Sequence, residues 1–333
     1  MTQTHPSSQI FLRVGTFTIG AVFFLIFVGA LVRATGSGMG CPDWPTCFGQ
    51  WIPPTQESQL PENYHQLYAQ RGYANTDFNP VKTWTEYVNR LTGVTIGLLV
   101  FATMLLSFRF RNTDRVIVYC STAVFILVGL QGWLGAMVVA SNLRPVMISI
   151  HMLSALTIVG LLIYTVTRSQ RERLTTVNWK LLPTSVRTVL TVAIVFVLIQ
   201  VLMGTQVRQA VDTIAQQLGE SHREQWRNHF PLIFYVHRSF SAIILFSVIW
   251  LTWNSKQLLQ HYFWGKALAS LVIVSVVIEI MLGITMDRFA IPAFAQPLHL
   301  LFASLIFGGL VFSRIAMQLG TTTITNGNGP VLD

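Results

Sequence analysis

Long apolar runs alternate with short polar connections along most of the chain. About 20 apolar residues are enough for a helix to span the hydrocarbon core of a bilayer, and eight runs reach that length. They predict eight transmembrane helices at residues 11–33, 87–108, 116–140, 145–167, 187–209, 231–253, 266–286 and 296–317. The first run is too long for a signal-peptide core and lacks a suitably placed small-residue cleavage site. We therefore expect all eight to be retained, with both ends of the chain on one side.

Composition supports this picture and excludes other classes of protein. Charged side chains make up 11% of the 333 residues and hydrophobic ones 52%, whereas soluble domains carry roughly 25% charged residues. A soluble enzyme, a disordered chain and a disulfide-rich secreted module are all excluded. The expected fold class is an all-α polytopic membrane protein whose surroundings are membrane lipid.

The distribution of positive charge predicts the orientation. The 22 Lys and Arg outnumber the 13 Asp and Glu, which gives a net charge of +9. They cluster in short connections such as 109–115 and 168–180, where the positive-inside rule works best. We expect a multi-pass protein of the cytoplasmic membrane with both termini cytoplasmic, and the charge requires no nucleic-acid partner.

Three segments outside the spans are long enough to describe. On the outer side, residues 34–85 form a long loop rich in Pro, Gly and aromatic residues, and residues 210–230 form a shorter, amphipathic one. Residues 318–333 are rich in Thr, Asn and Gly, and we expect this tail to be disordered.

The chain also matches itself. At a shift of 148 residues, Arg90 falls on Arg238 and His151 on His299, and at a shift of 175 the GALVR string ending at Arg33 falls on GTQVR ending at Arg208. Chance would explain matching Leu, Gly and Ala, but it explains a matching intramembrane His and Arg poorly. We predict two tandem, pseudo-symmetric four-helix bundles, an N-terminal half at 1–168 and a C-terminal half at 187–317, in parallel orientation.

Three histidines lie inside apolar spans near their outer ends, namely His151, His237 and His299. Ionisable groups at such depth are costly and mark functional sites, although a lone His can simply bond a neighbouring helix. Imidazoles from facing helices of a bundle are common axial ligands of haem iron. Zinc fits less well because no carboxylate or thiolate set accompanies them.

Arginines mark the same outer ends. They are Arg33, Arg90, Arg144, Arg208 and Arg238. Guanidinium groups at these positions can pair with haem propionates. The alternative is that they extend to the lipid headgroups.

The motifs around these residues resemble those of the heme A synthase family. The string GALVRATGSGMGCPDWPTCFGQ beginning at Gly29 resembles the family's first-helix signature, and EYVNRLTG from Glu86, VHRSF from Val236 and QPLHLLF from Gln296 follow in the family's order. The resemblance covers nearly all of residues 10–317.

The resemblance implies an oxidoreductase that converts the C8 methyl group of haem o to the formyl group of haem a by successive hydroxylations, with a haem b cofactor. By position, His237 and His299 resemble the axial ligands of haem b in the second half. His151 resembles a ligand of the haem o iron in the first half. Haem o synthase and the terminal oxidase are the protein partners it implies, and a homo-oligomer is compatible with it.

Glu86 corresponds to the carboxylate that the family is thought to use in catalysis; the alternative is an acid favoured by a helix N-terminus. Cys41 and Cys47 correspond to a disulfide of the family, as a structural clip or a redox relay. The family's second cysteine pair is missing from 210–230, and Cys120 is expected to be a packed apolar thiol.

One position departs from the family. Asn89 stands where the first half should have a second His. An amide is a poor haem ligand, so the iron there is either five-coordinate on His151 or held in a weakened site. Glu279 is a second acid in an apolar span, suited to proton movement or to accepting a hydrogen bond.

Two other functions remain open from the sequence. A membrane b-type cytochrome that passes electrons between quinone and another carrier would need two complete His pairs, and Asn89 argues against it. A non-catalytic haem-handling protein would fit the repeat alone. The electron donor and the source of the oxygen are not encoded in any recognisable motif.

Overall fold

The structure, a computed structural model, describes residues 6–326. Eight long helices follow one another along the chain: α1 (Pro6–Ala34), α2 (Pro80–Ser107), α3 (Arg115–Ala140), α4 (Pro145–Arg168), α5 (Thr184–Leu218), α6 (Leu232–Asn254), α7 (Phe263–Arg288) and α8 (Ala295–Asn326). All eight are long and apolar enough to cross a membrane. The predicted all-α fold with eight spans is confirmed.

Shorter elements fill the connections. The short α-helices are Tyr64–Leu67, Arg171–Thr175 and Lys256–His261, and the 3₁₀ segments are Glu57–Gln59, Ala69–Arg71, Phe108–Phe110, Trp179–Leu181 and Glu220–His229. No β-strand forms between residues 6 and 326. An isolated bridge between Cys47 and Gln50 is the nearest approach to one.

Local sequence signals set several helix starts. Proline occupies the first turn of both α2 and α4, where its missing N–H costs nothing and its fixed φ suits the helix. The Asn79 side chain caps α2 by accepting from the Lys82 backbone N–H, and the Asp114 side chain caps α3 by accepting from that of Val116. Caps of this kind satisfy N–H groups that have no partner within the helix.

Three helix ends lie seven or more residues from their predicted positions. Helix α2 begins at Pro80 rather than residue 87, and α5 continues to Leu218 rather than ending at 209. Both outer loops are therefore shorter than expected, and part of 210–230 is helical as its amphipathic pattern indicates. The expectation of a disordered tail from residue 318 is wrong for 318–326, because α8 continues there. Residues 327–333 lie outside the described part.

The continuation of α8 has a packing reason. A Cβ built on Gly320 would lie 1.9 Å from Nε1 of Trp179, so only glycine lets the indole lie directly against the helix. The Thr321 hydroxyl also bonds back to the carbonyl of Met317. This end of α8 is thus held against the connection between α4 and α5.

Helices of each predicted half pack in the same cyclic order. Helix α1 packs on α2, α2 on α3, α3 on α4 and α4 on α1, and α5 to α8 repeat this order. Helix α8 also packs against α1 and α4. A single apolar cluster accordingly includes residues of all eight helices, from Val22 of α1 to Met317 of α8.

Close packing at this central junction depends on small residues. A Cβ on Gly308 would lie 2.7 Å from the Phe23 ring of α1, and one on Gly309 would lie 2.4 Å from Val272 of α7. Helix association within lipid depends on such close approach of backbones. Large side chains such as Phe17, Phe24 and Phe246 are instead exposed on the outside, as expected for a protein surrounded by hydrocarbon.

Candidate functional site

The three intramembrane histidines occupy equivalent places in the fold. His151, His237 and His299 each lie within the first two turns of an even-numbered helix, at the end that faces the long 35–79 loop. Asn89 lies on the remaining even-numbered helix, α2. Each of these four side chains is partly buried.

Each of the four side chains packs against a glycine on the preceding helix. A Cβ built on Gly29 would lie 3.9 Å from Oδ1 of Asn89, and one on Gly135 would lie 3.5 Å from Cε1 of His151. A Cβ on Gly204 would lie 3.3 Å from Cε1 of His237, and one on Gly283 would lie 3.8 Å from Cε1 of His299. The glycines leave room for a ring or an amide to lie against the helix backbone. The internal repeat matches Gly29 with Gly204 and Gly135 with Gly283, but it does not indicate their role.

The residue one turn before each glycine contacts the same histidine in three cases. Gln131 donates from Nε2 to the backbone carbonyl of His151 at 2.9 Å, and Gln200 donates likewise to that of His237 at 2.9 Å. Glu279 contacts the imidazole of His299 instead, with Oε1 3.2 Å from Nδ1.

His237 and His299 face each other across the second half. Their ring centroids are 6.3 Å apart and the ring planes are inclined by 70°, a gap too wide for the rings to bond directly. The buried Nδ1 atoms of His151, His237 and His299 form no hydrogen bond with the described residues, although Nδ1 of His299 lies 3.2 Å from a carboxylate oxygen of Glu279. Buried polar atoms are normally satisfied, so these rings are available to act as ligands of a metal.

The donor set suits haem iron better than a free metal ion. No group of three or more His, Cys, Asp and Glu able to hold a metal ion occurs within residues 6–326. A porphyrin supplies most of the coordination of its iron and leaves one or two axial positions to the protein. The facing pair formed by His237 and His299 fits that requirement.

Within residues 6–326, the side chains of Arg33, Arg90, Arg208 and Arg238 have protein partners, whereas that of Arg144, exposed at the start of α4, has none. Arg33 of α1 and Arg208 of α5 both pair with Asp212, at 3.0 and 2.8 Å, and Arg208 also donates to Gln296. Asp212 therefore joins the two predicted halves by ion pairs. Asp212 is not among the residues predicted from the sequence, although its place one turn after Arg208 is typical of a helical ion pair.

Arg238 lies in the second half near another carboxylate that the sequence did not predict as part of a site. Its guanidinium is 3.5 Å from Asp287, which is buried at the end of α7 and also pairs with Arg227 at 2.8 Å. It also lies 5.4 Å from the centre of the Tyr235 ring. More than half of the Arg238 side chain is exposed.

Glu86 and Arg90 form a buried anchor for the 35–79 loop. Glu86 is 3% exposed, accepts the backbone N–H of Cys41 at 3.0 Å and pairs with Arg90 at 2.5 Å. Arg90 also donates to the carbonyls of Asp43 and Thr46. Glu86 lies two turns inside α2, so the alternative of an acid at the helix N-terminus is wrong. The Arg90 guanidinium is occupied by the loop.

The loop that these residues hold has a small core of its own. Cys41 and Cys47 form a disulfide, as the resemblance implies, and both are fully buried. Phe48 beside them makes edge-to-face contacts with several rings, those of Tyr64, Tyr68, Tyr73 and Phe78. Burial, followed by the nearby Glu86 charge, raises the pKa of Tyr73 well above its usual range. Its hydroxyl donates to the carbonyls of Met39 and Gly40.

The chain resembles known proteins over most of its length. A family model described as cytochrome oxidase assembly protein (COX15-CtaA) matches residues 13–311. A relative named Heme A synthase from Nitrosomonas eutropha is 28% identical over 333 aligned positions, which cover 92% of each chain. One of the same name from Shewanella oneidensis is 30% identical over 190 positions, 56% of this chain and 53% of the relative, so that match spans about half of the relative's length.

Proposed function

The chain belongs to the cytochrome oxidase assembly protein family, and from this premise we propose that it is an integral membrane oxidoreductase that converts haem o to haem a. The observation that carries the proposal is the facing pair of His237 and His299, with ring centroids 6.3 Å apart. A bound haem iron supplies electron-transfer and oxygen chemistry that side chains lack. A haem-binding site of this kind therefore supports the activity named for the relatives.

The second half is the proposed cofactor site. His237 and His299 would hold the iron of haem b, and Gly204 and Gly283 leave room for each imidazole to lie against the preceding helix. The Gln200 amide fixes the His237 backbone carbonyl. These contacts set the direction of the rings before any ligand binds, and such preorganisation lowers the cost of binding.

The first half is the proposed substrate site. His151 binds the iron of haem o through one imidazole, held against Gly135. Asn89, opposite Gly29, is a poor ligand, so the substrate's iron takes a single protein nitrogen in this half. An amide that leaves an axial face open suits an enzyme that must release its porphyrin, and it argues against an electron carrier with two His pairs.

The outer loop closes the substrate half from the aqueous side. Glu86, implied by the resemblance to be catalytic, holds Cys41 and Arg90, which supports a positioning role through the loop. The disulfide between Cys41 and Cys47 keeps this part of the loop compact. We propose that it acts as a structural clip, since both sulfur atoms are buried.

The arginines contribute to the outer ends of both sites in this proposal. Arg33 and Arg208 share a single carboxylate, that of Asp212, so two positive charges face one negative charge. The excess of positive charge favours the anionic propionates of a porphyrin. Arg238, largely exposed and shared with Asp287, serves the second half in the same way, whereas Arg90 serves the loop.

The location and partners follow the same proposal. The protein resides in the cytoplasmic membrane with both termini cytoplasmic, because Lys and Arg cluster in the short connections 109–115 and 168–180. The disulfide loop then lies on the outer side, where disulfides persist. Haem o synthase supplies the substrate and a terminal oxidase receives the product, in keeping with the family description.

Coexpression with haem o synthase, in cells that make no haem a, tests the activity. The expected result is haem a in the extracted pigments. Cells carrying His299→Ala should lose both haem a and the low-spin haem b spectrum, whereas His261→Ala, in an exposed position, should retain both. Haem o without haem a in cells that contain the wild-type protein would overturn the proposal.

A further inference from the structure

Glu279 is the acidic member of a set of four positions that are equivalent in the fold. Each position lies one turn before the glycine that supports a histidine or Asn89, and the other members are Leu25, Gln131 and Gln200. Leu25 accompanies Asn89, where a ligand is missing. The two glutamines accompany His151 and His237. The acid accompanies His299 alone.

The acid makes a different contact from the glutamines. Each glutamine donates to a backbone carbonyl and leaves its own amide oxygen buried without a hydrogen-bond partner among the described residues. Glu279 has no N–H to donate. Its Oε1 lies 3.2 Å from the ring atom Nδ1 of His299, and its buried Oε2 bonds to none of the described residues.

The two imidazoles of the facing pair are therefore unequal. The Glu279 carboxylate lies 3.2 Å from Nδ1 of His299, whereas no carboxylate of the described residues makes such a contact with His237. A carboxylate next to Nδ1 favours the tautomer with the proton on that nitrogen. Nε2 of His299 then carries the lone pair that an iron needs.

We propose that Glu279 is a positioning residue that fixes the tautomer of His299 and lowers the reduction potential of the haem held by His237 and His299. The inference rests on the proposed function, since it requires haem in the second half. A carboxylate that accepts from a ligating imidazole makes that imidazole a stronger donor. Stronger donation stabilises ferric over ferrous iron, and the hydrogen bonds of axial ligands are one of the ways in which proteins set haem potentials.

The test measures a potential rather than turnover. The wild-type protein and Glu279→Gln are purified from cells that make haem b but no haem o, and the low-spin haem is titrated potentiometrically. The Gln side chain has the same size as Glu but carries no negative charge. The variant should therefore have a higher midpoint potential than the wild type. The matched control is Glu172→Gln, which removes the same charge at an exposed position between α4 and α5. It should leave the potential unchanged.

A second variant covers the case in which Glu279→Gln yields no folded haem protein. Gln200→Glu introduces a carboxylate one turn before Gly204, the glycine that packs on His237, and should lower the midpoint potential below that of the wild type. Equal potentials in the wild type and in the variants that bind haem would overturn the role of Glu279. A folded wild-type protein that binds no haem would instead overturn the proposed function, so the two failures are distinguishable.

Discussion

Replacing Glu86 by Gln keeps the shape of the side chain but removes its charge from a site where the residue is 3% exposed. The variant retains an oxygen that can accept the Cys41 N–H, but it loses the ion pair with Arg90 at 2.5 Å. Removing one partner of a buried pair costs about 3–5 kcal/mol when the other charge is left alone. Here Arg90 keeps the carbonyls of Asp43 and Thr46.

The remaining contacts reduce the expected cost to that of one charged hydrogen bond, about 2 kcal/mol. Since every 1.4 kcal/mol is tenfold, local opening of the loop should become about 30-fold more frequent. Hydrogen exchange of the backbone amides in residues 35–79 measures this directly. The eight long helices should exchange as in the wild type, because the lost contact lies at their outer edge.

Glu62→Gln is the matched control, since Glu62 is exposed in the same loop and should change nothing. Unchanged exchange around Cys41 in Glu86→Gln would refute the anchoring role. If such a variant also formed no haem a, Glu86 would act on the substrate directly, as the resemblance implies. If the loop amides of Glu86→Gln exchange faster and haem a formation falls to a similar extent, Glu86 acts through the loop.

Three further changes test other parts of the structure. Asn89→His should give a second low-spin haem signal in electron paramagnetic resonance after reconstitution, and it should lower haem a formation. Gly29 packs against position 89 and leaves room for an imidazole, which would bind the free side of the substrate's iron. Asp212→Asn should lower thermal stability by about 1 kcal/mol in unfolding assays, because it removes the charge shared by Arg33 and Arg208. Burial raises the pKa of Tyr73, so the folded loop favours the neutral phenol. The stabilisation is complete below a pH of about 10, the usual tyrosine pKa, and it is lost as the pH rises above that value. Proteolysis of the loop should therefore accelerate at alkaline pH.

Each of these expectations has a control and a contradicting result. Asn89→Gln should keep the wild-type spectrum, and a single low-spin signal in Asn89→His would contradict the assignment of the substrate half. Asp77→Asn, in an exposed part of the loop, should leave the melting temperature unchanged, and an equal temperature for Asp212→Asn would show that the shared carboxylate adds no stability. Tyr73→Phe should weaken the alkaline step in proteolysis; an identical step would show that other groups cause it.

The sequence predicts the helices well because each needs only a long apolar run. It misplaces the start of α2 because residues 80–86 include Lys82 and Glu86, which interrupt the apolar pattern even though they are helical. The capping side chain of Asn79 followed by Pro80 is the signal that would have corrected it.

The candidate site is predicted less evenly. A histidine inside an apolar span is conspicuous, so His237 and His299 can be paired from the sequence. The partners of the arginines cannot, because a long guanidinium side chain reaches a propionate, a headgroup or a protein carboxylate equally well. The sequence predicts a loop at Asp212. Its contact with Arg33 joins residues that are far apart in the chain, so no local pattern indicates it.

The packing of α8 against α1 has a consequence for how the protein is made. Chains are synthesised and inserted from the N-terminus, so α1 enters the bilayer long before its neighbour Gly308 has been translated. Val22 belongs to the apolar cluster shared by all eight helices, and Phe23 packs against that cluster. Until the last helix is made, the surface around these two residues faces lipid or an insertion factor. Folding of the first half can begin during synthesis, but the seam between the halves closes only when the last helix arrives.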